Sequence, residues 1–147
     1  MDRDTAVKLK IYETIALTTH APTAKDVAAA LQLPMADVEA AFESLHNRRL
    51  LVPEPGDPSR IRMAPPFSGT ETPFRVRVQG KLYFANCAWD AFGISAALHQ
   101  DAFIEAADGF SDEPIRLEIK DGQPVSQPCV IHFAVPAAKW WEDIIFT

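Results

Sequence analysis

The chain has 147 residues, 48% of them hydrophobic, which suits one domain or two small modules around a real core and excludes a disordered chain. A formal net charge of −6 argues against a nucleic-acid footprint over the whole surface. No apolar run approaches the roughly 20 residues of a membrane helix, and the N-terminus, MDRDTAVKLK, opens with charge in place of an apolar leader. The cytoplasm is therefore the expected compartment, without membrane contact. Residues 1–66 carry 8 basic and 9 acidic side chains and residues 67–147 carry 6 and 11, so neither half is a basic clamp.

Val7, Ile11 and Ile15 recur at i, i+4 and i+8, with Leu9 and Tyr12 broadening the stripe, and predict a first helix that His20-Ala21-Pro22 breaks. Thr23 with Asp26 three residues on has the form of a capping box and opens a helix over 24–31 that buries Val27 and Leu31. Leu33-Pro34 makes a turn, and Val38, Ala41, Phe42 and Leu45 mark a third helix. Strands are expected at 49–52 and 59–63, around a Pro-Gly-Asp-Pro turn. This order is that of a winged helix-turn-helix, whose third helix would enter DNA. That helix carries Asp37, Glu39 and Glu43 where phosphate contacts need Lys or Arg, so a packing module is the expected use.

Pro65-Pro66-Phe67-Ser68-Gly69 is the candidate boundary. Beyond it, 74–78 and 81–84 flank Gln79-Gly80 as a hairpin, and 87–98 is expected to be a helix with Trp89, Phe92 and Ala96 on its apolar side. Strands are predicted at 103–106, 115–119 and 130–135, with a turn at Asp121-Gly122 and a short final helix over 137–143.

The segment Asn86-Cys87-Ala88-Trp89-Asp90 carries the most chemistry. A thiol at a helix N-terminus meets amide donors and the positive end of the dipole, which favour its anion, and a carboxyl at i+3 lies one turn along the same face. A soft nucleophile beside a proton donor is a workable catalytic pair. The same pattern equally describes a small buried thiol and a carboxylate partnering a helix dipole. With only Cys87 and Cys129 in the chain, two free thiols are expected, too few for a closed zinc site. In a strand, Cys129 and His132 would face opposite ways and not chelate one ion, whereas Cys129 facing Cys87 would form a two-thiolate site for a soft metal. Cys129 as an ordinary core residue fits as well. Trp140-Trp141 suits core and lid packing.

At these residues the chain resembles the organomercurial (alkylmercury) lyase family. The resemblance runs through Thr72-Pro73-Phe74-Arg75-Val76-Arg77-Val78, then Leu82-Tyr83-Phe84-Ala85-Asn86-Cys87-Ala88-Trp89-Asp90, and His132-Phe133-Ala134-Val135-Pro136. It implies cleavage of carbon–mercury bonds by protonolysis with no organic cofactor: two thiols capture the mercury and an aspartate helps deliver a proton to the leaving carbon. Cys87 matches the first cysteine and Asp90 the aspartate. Aligning His132-Phe133 sets Pro128 at the second cysteine and Cys129 beside it, so Cys129 is the candidate second thiolate. Family members continue past the Trp-Trp segment, and a chain ending at Thr147 is expected to be truncated.

The expected fold is α+β: a winged helix-turn-helix-like helical module over 1–66 and a small mixed or antiparallel sheet core with helices, the lyase-like catalytic core, over 67–147. The expected function is organomercurial cleavage, with mercury held as substrate and product by Cys87 and Cys129. Exogenous thiols, or a mercuric-ion acceptor protein, would remove the product. The alternative is a non-catalytic relative that binds soft metal or regulates transcription through the N-terminal module.

Overall fold

Val7, Ile11 and Ile15 lie on one stripe because they are spaced a helical turn apart, and all three are buried along α1 (Arg3–Thr18). The computed structural model describes residues 1–126 and 129–146, so Pro128 and Thr147 of the sequence reading lie outside the described residues. Asp2 caps α1 through the Thr5 amide, and the capping box expected at Thr23 and Asp26 forms in both directions at the start of α2 (Ala24–Leu31). Helix α3 (Met35–Asn47) buries Val38, Ala41, Phe42 and Leu45 and leaves Asp37, Glu39 and Glu43 exposed.

The strand predicted at 49–52 begins later. Arg49 takes a left-handed φ of 61°, with its amide on the His46 carbonyl and the Leu50 amide on that of Leu45. This Schellman closure uses 49–50 to end the helix, so β1 (Val52–Glu54) starts only once the chain is extended again. It pairs antiparallel with β2 (Asp57–Ala64), which pairs with β3 (Phe67–Ser68).

A second antiparallel sheet has the order β5-β4-β6-β7-β8, built from β4 (Arg75–Val78), β5 (Lys81–Phe84), β6 (Ala102–Ala107), β7 (Pro114–Lys120) and β8 (Gln123–Pro124). Gln79 and Gly80, both at positive φ, form the two-residue turn that matches strand twist in the β4-β5 hairpin. Helix α4 (Ala88–Leu98) packs on β4 and β6, and a 3₁₀ turn follows at Ala137–Glu142. The architecture is α+β. One buried cluster runs from Ile11 and Leu45 through Phe67 to Tyr83, Ile94 and Ile104.

Helix α1 is tied to the hairpin at its C-terminal end. The Tyr83 hydroxyl donates to the Ala16 carbonyl at 2.7 Å, and Lys81 Nζ donates to the Ala16 and Leu17 carbonyls at 3.2 and 3.0 Å. No helix among the described residues is long and apolar enough to cross a membrane.

Two expectations are corrected. Residues 130–135 form no strand, and Val130 and Ile131 are exposed. Their β-branched run has the propensity, but propensity needs a neighbour, and Pro124 in β8 offers no amide to a further ladder. Helix α4 buries Ala91, Ile94 and Ser95, not the face of Trp89 and Ala96; Trp89 is 65% exposed. Apart from Asp90 and Ser95 that helix is apolar nearly all round, so its period does not distinguish one face from another.

Candidate active site

The step from β5 into α4 sets the chemistry. Ala85 is pinned beside β4 by its amide on the Phe74 carbonyl at 2.9 Å, and its own carbonyl accepts from the Thr72 hydroxyl at 2.6 Å. Two residues later Cys87 is the N-cap of α4, with extended backbone (φ −154°, ψ −179°) and its carbonyl accepting the Ala91 amide at 3.0 Å. Asp90 follows in the first turn. Cys87 and Asp90 are half-buried and line one cavity of about 580 Å³ together with Asn86, His132, Trp140 and Trp141.

Burial is the strongest influence on both reactive groups. It pushes the Cys87 thiol above its ordinary value; the amides of Asp90 and Trp89 pull the other way, and the Asp90 carboxylate adds to the rise. The helix N-terminus thus favours the thiolate as the sequence suggests, but desolvation outweighs it. Burial also raises the Asp90 carboxyl, partly offset by the amide of Asn86. A thiol and a carboxyl that both hold protons more firmly than in water suit chemistry that consumes a proton.

Asn86 and Tyr12 belong to this neighbourhood, although neither is a candidate site residue on sequence grounds. Asn86 Nδ2 donates to Asp90 Oδ2 at 2.9 Å and to the Phe67 carbonyl at 3.2 Å, while its Oδ1 is buried with no hydrogen-bond partner among the described residues. The Tyr12 hydroxyl donates to the Pro65 carbonyl at 2.7 Å; burial, and then the Asp90 charge, push its pKa up to about 12. An asparagine just before a helix resembles an ordinary capping residue, and a tyrosine on an apolar stripe resembles core. The cue to Tyr12 lies in a charge 78 positions along the chain.

The cavity is roofed by residues 132–146. The Phe133 and Trp140 rings pack at a tilt of 51° with centroids 5.0 Å apart, Trp140 Nε1 donates to the Val135 carbonyl at 2.8 Å, and the Arg49 guanidinium sits 5.9 Å from the centre of the Trp141 ring. Trp140 and Trp141 are half-buried over this cavity, and neither enters the core, which corrects the core half of the expectation. His132, which a regular strand would have turned away from Cys129, faces the cavity of Cys87 and Asp90 from irregular chain.

Cys129 is exposed and lines two other cavities, neither of which includes Cys87. One of them shares Phe74, Ala88 and His132 as walls with the Cys87 cavity, so the two spaces adjoin. Among the described residues no three His, Cys, Asp or Glu side chains are grouped to hold a metal ion.

No curated protein matches the chain. Among solved structures, the mercury-bound form of MerB2 aligns with 86% of this chain at a TM-score of 0.68 and 21% identity, a likeness of fold. This chain covers 60% of that neighbour's length. The family model described as alkylmercury lyase, MerB, matches residues 67–147, more than half of the chain and all of the segment from β3 through α4 to the Trp-Trp lid. The chain belongs to the alkylmercury lyase family.

Proposed function

We propose that the protein cleaves small organomercurials by protonolysis, releasing a hydrocarbon and Hg(II). The observation that carries this reading is the shared, half-buried cavity of Cys87 and Asp90, in which burial holds both groups toward their protonated forms. An organomercury cation is soft and binds thiolate in preference to oxygen or nitrogen ligands. On its capture the Cys87 thiol gives up its proton, and the Asp90 carboxylate one turn along is placed to receive it. The carbon–mercury bond then breaks with its electron pair going to carbon, which takes that proton from Asp90. Hydrocarbon departs, the carboxylate is restored, and Hg(II) remains on sulfur.

Cys129 is the proposed second thiolate, weakening the bond to carbon by sharing the mercury. The adjoining cavities support this, as does the irregular backbone of residues 129–135, which no strand ladder among the described residues fixes. Exogenous thiols, or a mercuric-ion acceptor protein, are the proposed acceptors of the product, and the cytoplasm, rich in reduced thiols, is the proposed setting. Residues 1–66 are proposed as a winged-helix-like unit used for packing, and 67–147 as the catalytic unit. The exposed acidic side chains Asp37, Glu39 and Glu43 on α3 argue against a role in DNA binding.

The test is direct. Purified protein is incubated with an organomercurial and excess thiol, and the protonated hydrocarbon is assayed. The wild type should release it, Asp90→Ala should lose about 10²–10⁴-fold in rate, the span of a positioned proton donor, and Cys87→Ser should be inactive. Absence of hydrocarbon from the wild type rejects the proposal.

A further inference from the structure

We infer that Asn86 is a positioning residue for Asp90: it holds one carboxyl oxygen, Oδ2, and thereby reserves the other, Oδ1, for the proton that goes to carbon. The inference deepens the protonolysis reading and rests on it.

Asn86 Nδ2 donates to two acceptors at once, the Asp90 carboxyl at 2.9 Å and the Phe67 carbonyl at 3.2 Å. The reversed amide would set Oδ1 against both of these oxygens, so its orientation is fixed by chemistry. The anchor is firm. Phe67 is 2% exposed, pairs with Ala64 in the first sheet and bridges to Ala85. Asn86 thus connects backbone held by that sheet to the acid on α4, and it is the residue next to Cys87. Thiol and carboxyl are therefore aligned from one backbone step.

A carboxyl oxygen that already accepts from an amide is the poorer site for a proton, so the acid proton sits on Oδ1. Asn86 Oδ1 meanwhile stays buried without a partner among the described residues. Buried acceptors are nearly always satisfied, and a side chain kept in spite of that cost is held for what its donors do. The other titratable or charged groups around Asp90 are Tyr12 from α1, Cys87 on its own helix, and Arg49, Arg62 and His132 on the cavity wall.

The experiment uses the full chain with an organomercurial and excess thiol. Asn86→Leu keeps the side-chain size and removes both hydrogen bonds. It should lower kcat by up to about 10²-fold, the effect of misplacing a reacting group by about an ångström, with KM within about twofold of wild type. Added to Asp90→Ala, it should cost nothing further, since it acts through that carboxyl. A second readout needs neither turnover nor a folded Asn86→Leu: in wild type the Asn86 side-chain amide should exchange slowly in NMR spectra, and folded Asp90→Ala should shift its resonances. Unchanged kcat in folded Asn86→Leu, or an amide signal indifferent to Asp90→Ala, overturns the assignment alone. A wild type that releases no hydrocarbon overturns the protonolysis reading, and the proposed role of Asn86 with it.

Discussion

Replacing Tyr12 with phenylalanine isolates one hydrogen bond and one titration in a single atom. At neutral pH, Tyr12→Phe removes the 2.7 Å donation to the Pro65 carbonyl and leaves that oxygen short of a partner, at a cost of about 1–2 kcal/mol. For a chain of this size that is a fall in Tm of about 3–6 °C. The phenol's pKa stands at about 12 against an ordinary 10.0, so the native state holds this proton more tightly than the unfolded chain. Stability from that source is fully present below pH 10 and is lost as pH rises toward about 12. At about 1.36 kcal/mol per unit, the ceiling on this loss is roughly 2.7 kcal/mol, and the ring's partial access to water brings it nearer to about 1–2 kcal/mol. The phenylalanine variant has no such loss. Its deficit against wild type should therefore shrink, and close to pH 12 vanish, while contributions from all other groups cancel between the two proteins. Urea denaturation followed by circular dichroism at a series of pH values measures the difference. A penalty that stays constant from neutral to alkaline pH would refute the reasoning, since Tyr12 would then have the same pKa in both states.

Asp90→Asn should stabilise the fold at neutral pH even as it abolishes turnover. Burial raises the Asp90 carboxyl above 3.8, so its contribution to stability is intact below that value and declines as pH climbs through the folded-state pKa. The neutral amide escapes that decline, and the gain should disappear in acid; a variant less stable than wild type at pH 7 contradicts this. Gly69→Ala tests the first sheet. A Cβ there would overlap the Ile61 carbonyl oxygen, which is backbone and has little room to yield, while the Gly69 amide donates to the Arg62 carbonyl at 2.8 Å. Thermal melting should report a loss of about 3 kcal/mol, and a change under about 0.5 kcal/mol would show that the loop relaxes freely.

What could be inferred from the chain itself was decided by how local each signal is. The Thr23–Asp26 capping box and the Gln79-Gly80 turn involve neighbours within three residues, and both form as expected. The Cys87 to Asp90 step is equally local, so the two groups fall in one cavity. Trp89, by contrast, sits on a helix with apolar residues around most of its circumference, and its exposure depends on which face of α4 the sheet takes. The segment 130–135 forms no strand for a similar reason: a β-branched run such as Val130-Ile131 becomes a strand only where an edge is free to receive it. Asn86 reads as an ordinary residue before a helix, because its anchor, the Phe67 carbonyl, lies nineteen positions earlier.

The final turn of α1 contains no basic side chain, and its carbonyls at Ala16 and Leu17 are instead satisfied by Lys81 and Tyr83 from the hairpin. Helix α1 is therefore completed by residues made more than sixty positions later. Until they arrive, that turn is open to water and frays at little cost. Order at the far end of α1 thus reports whether the hairpin, and the Cys87 strand-to-helix step it leads into, has docked.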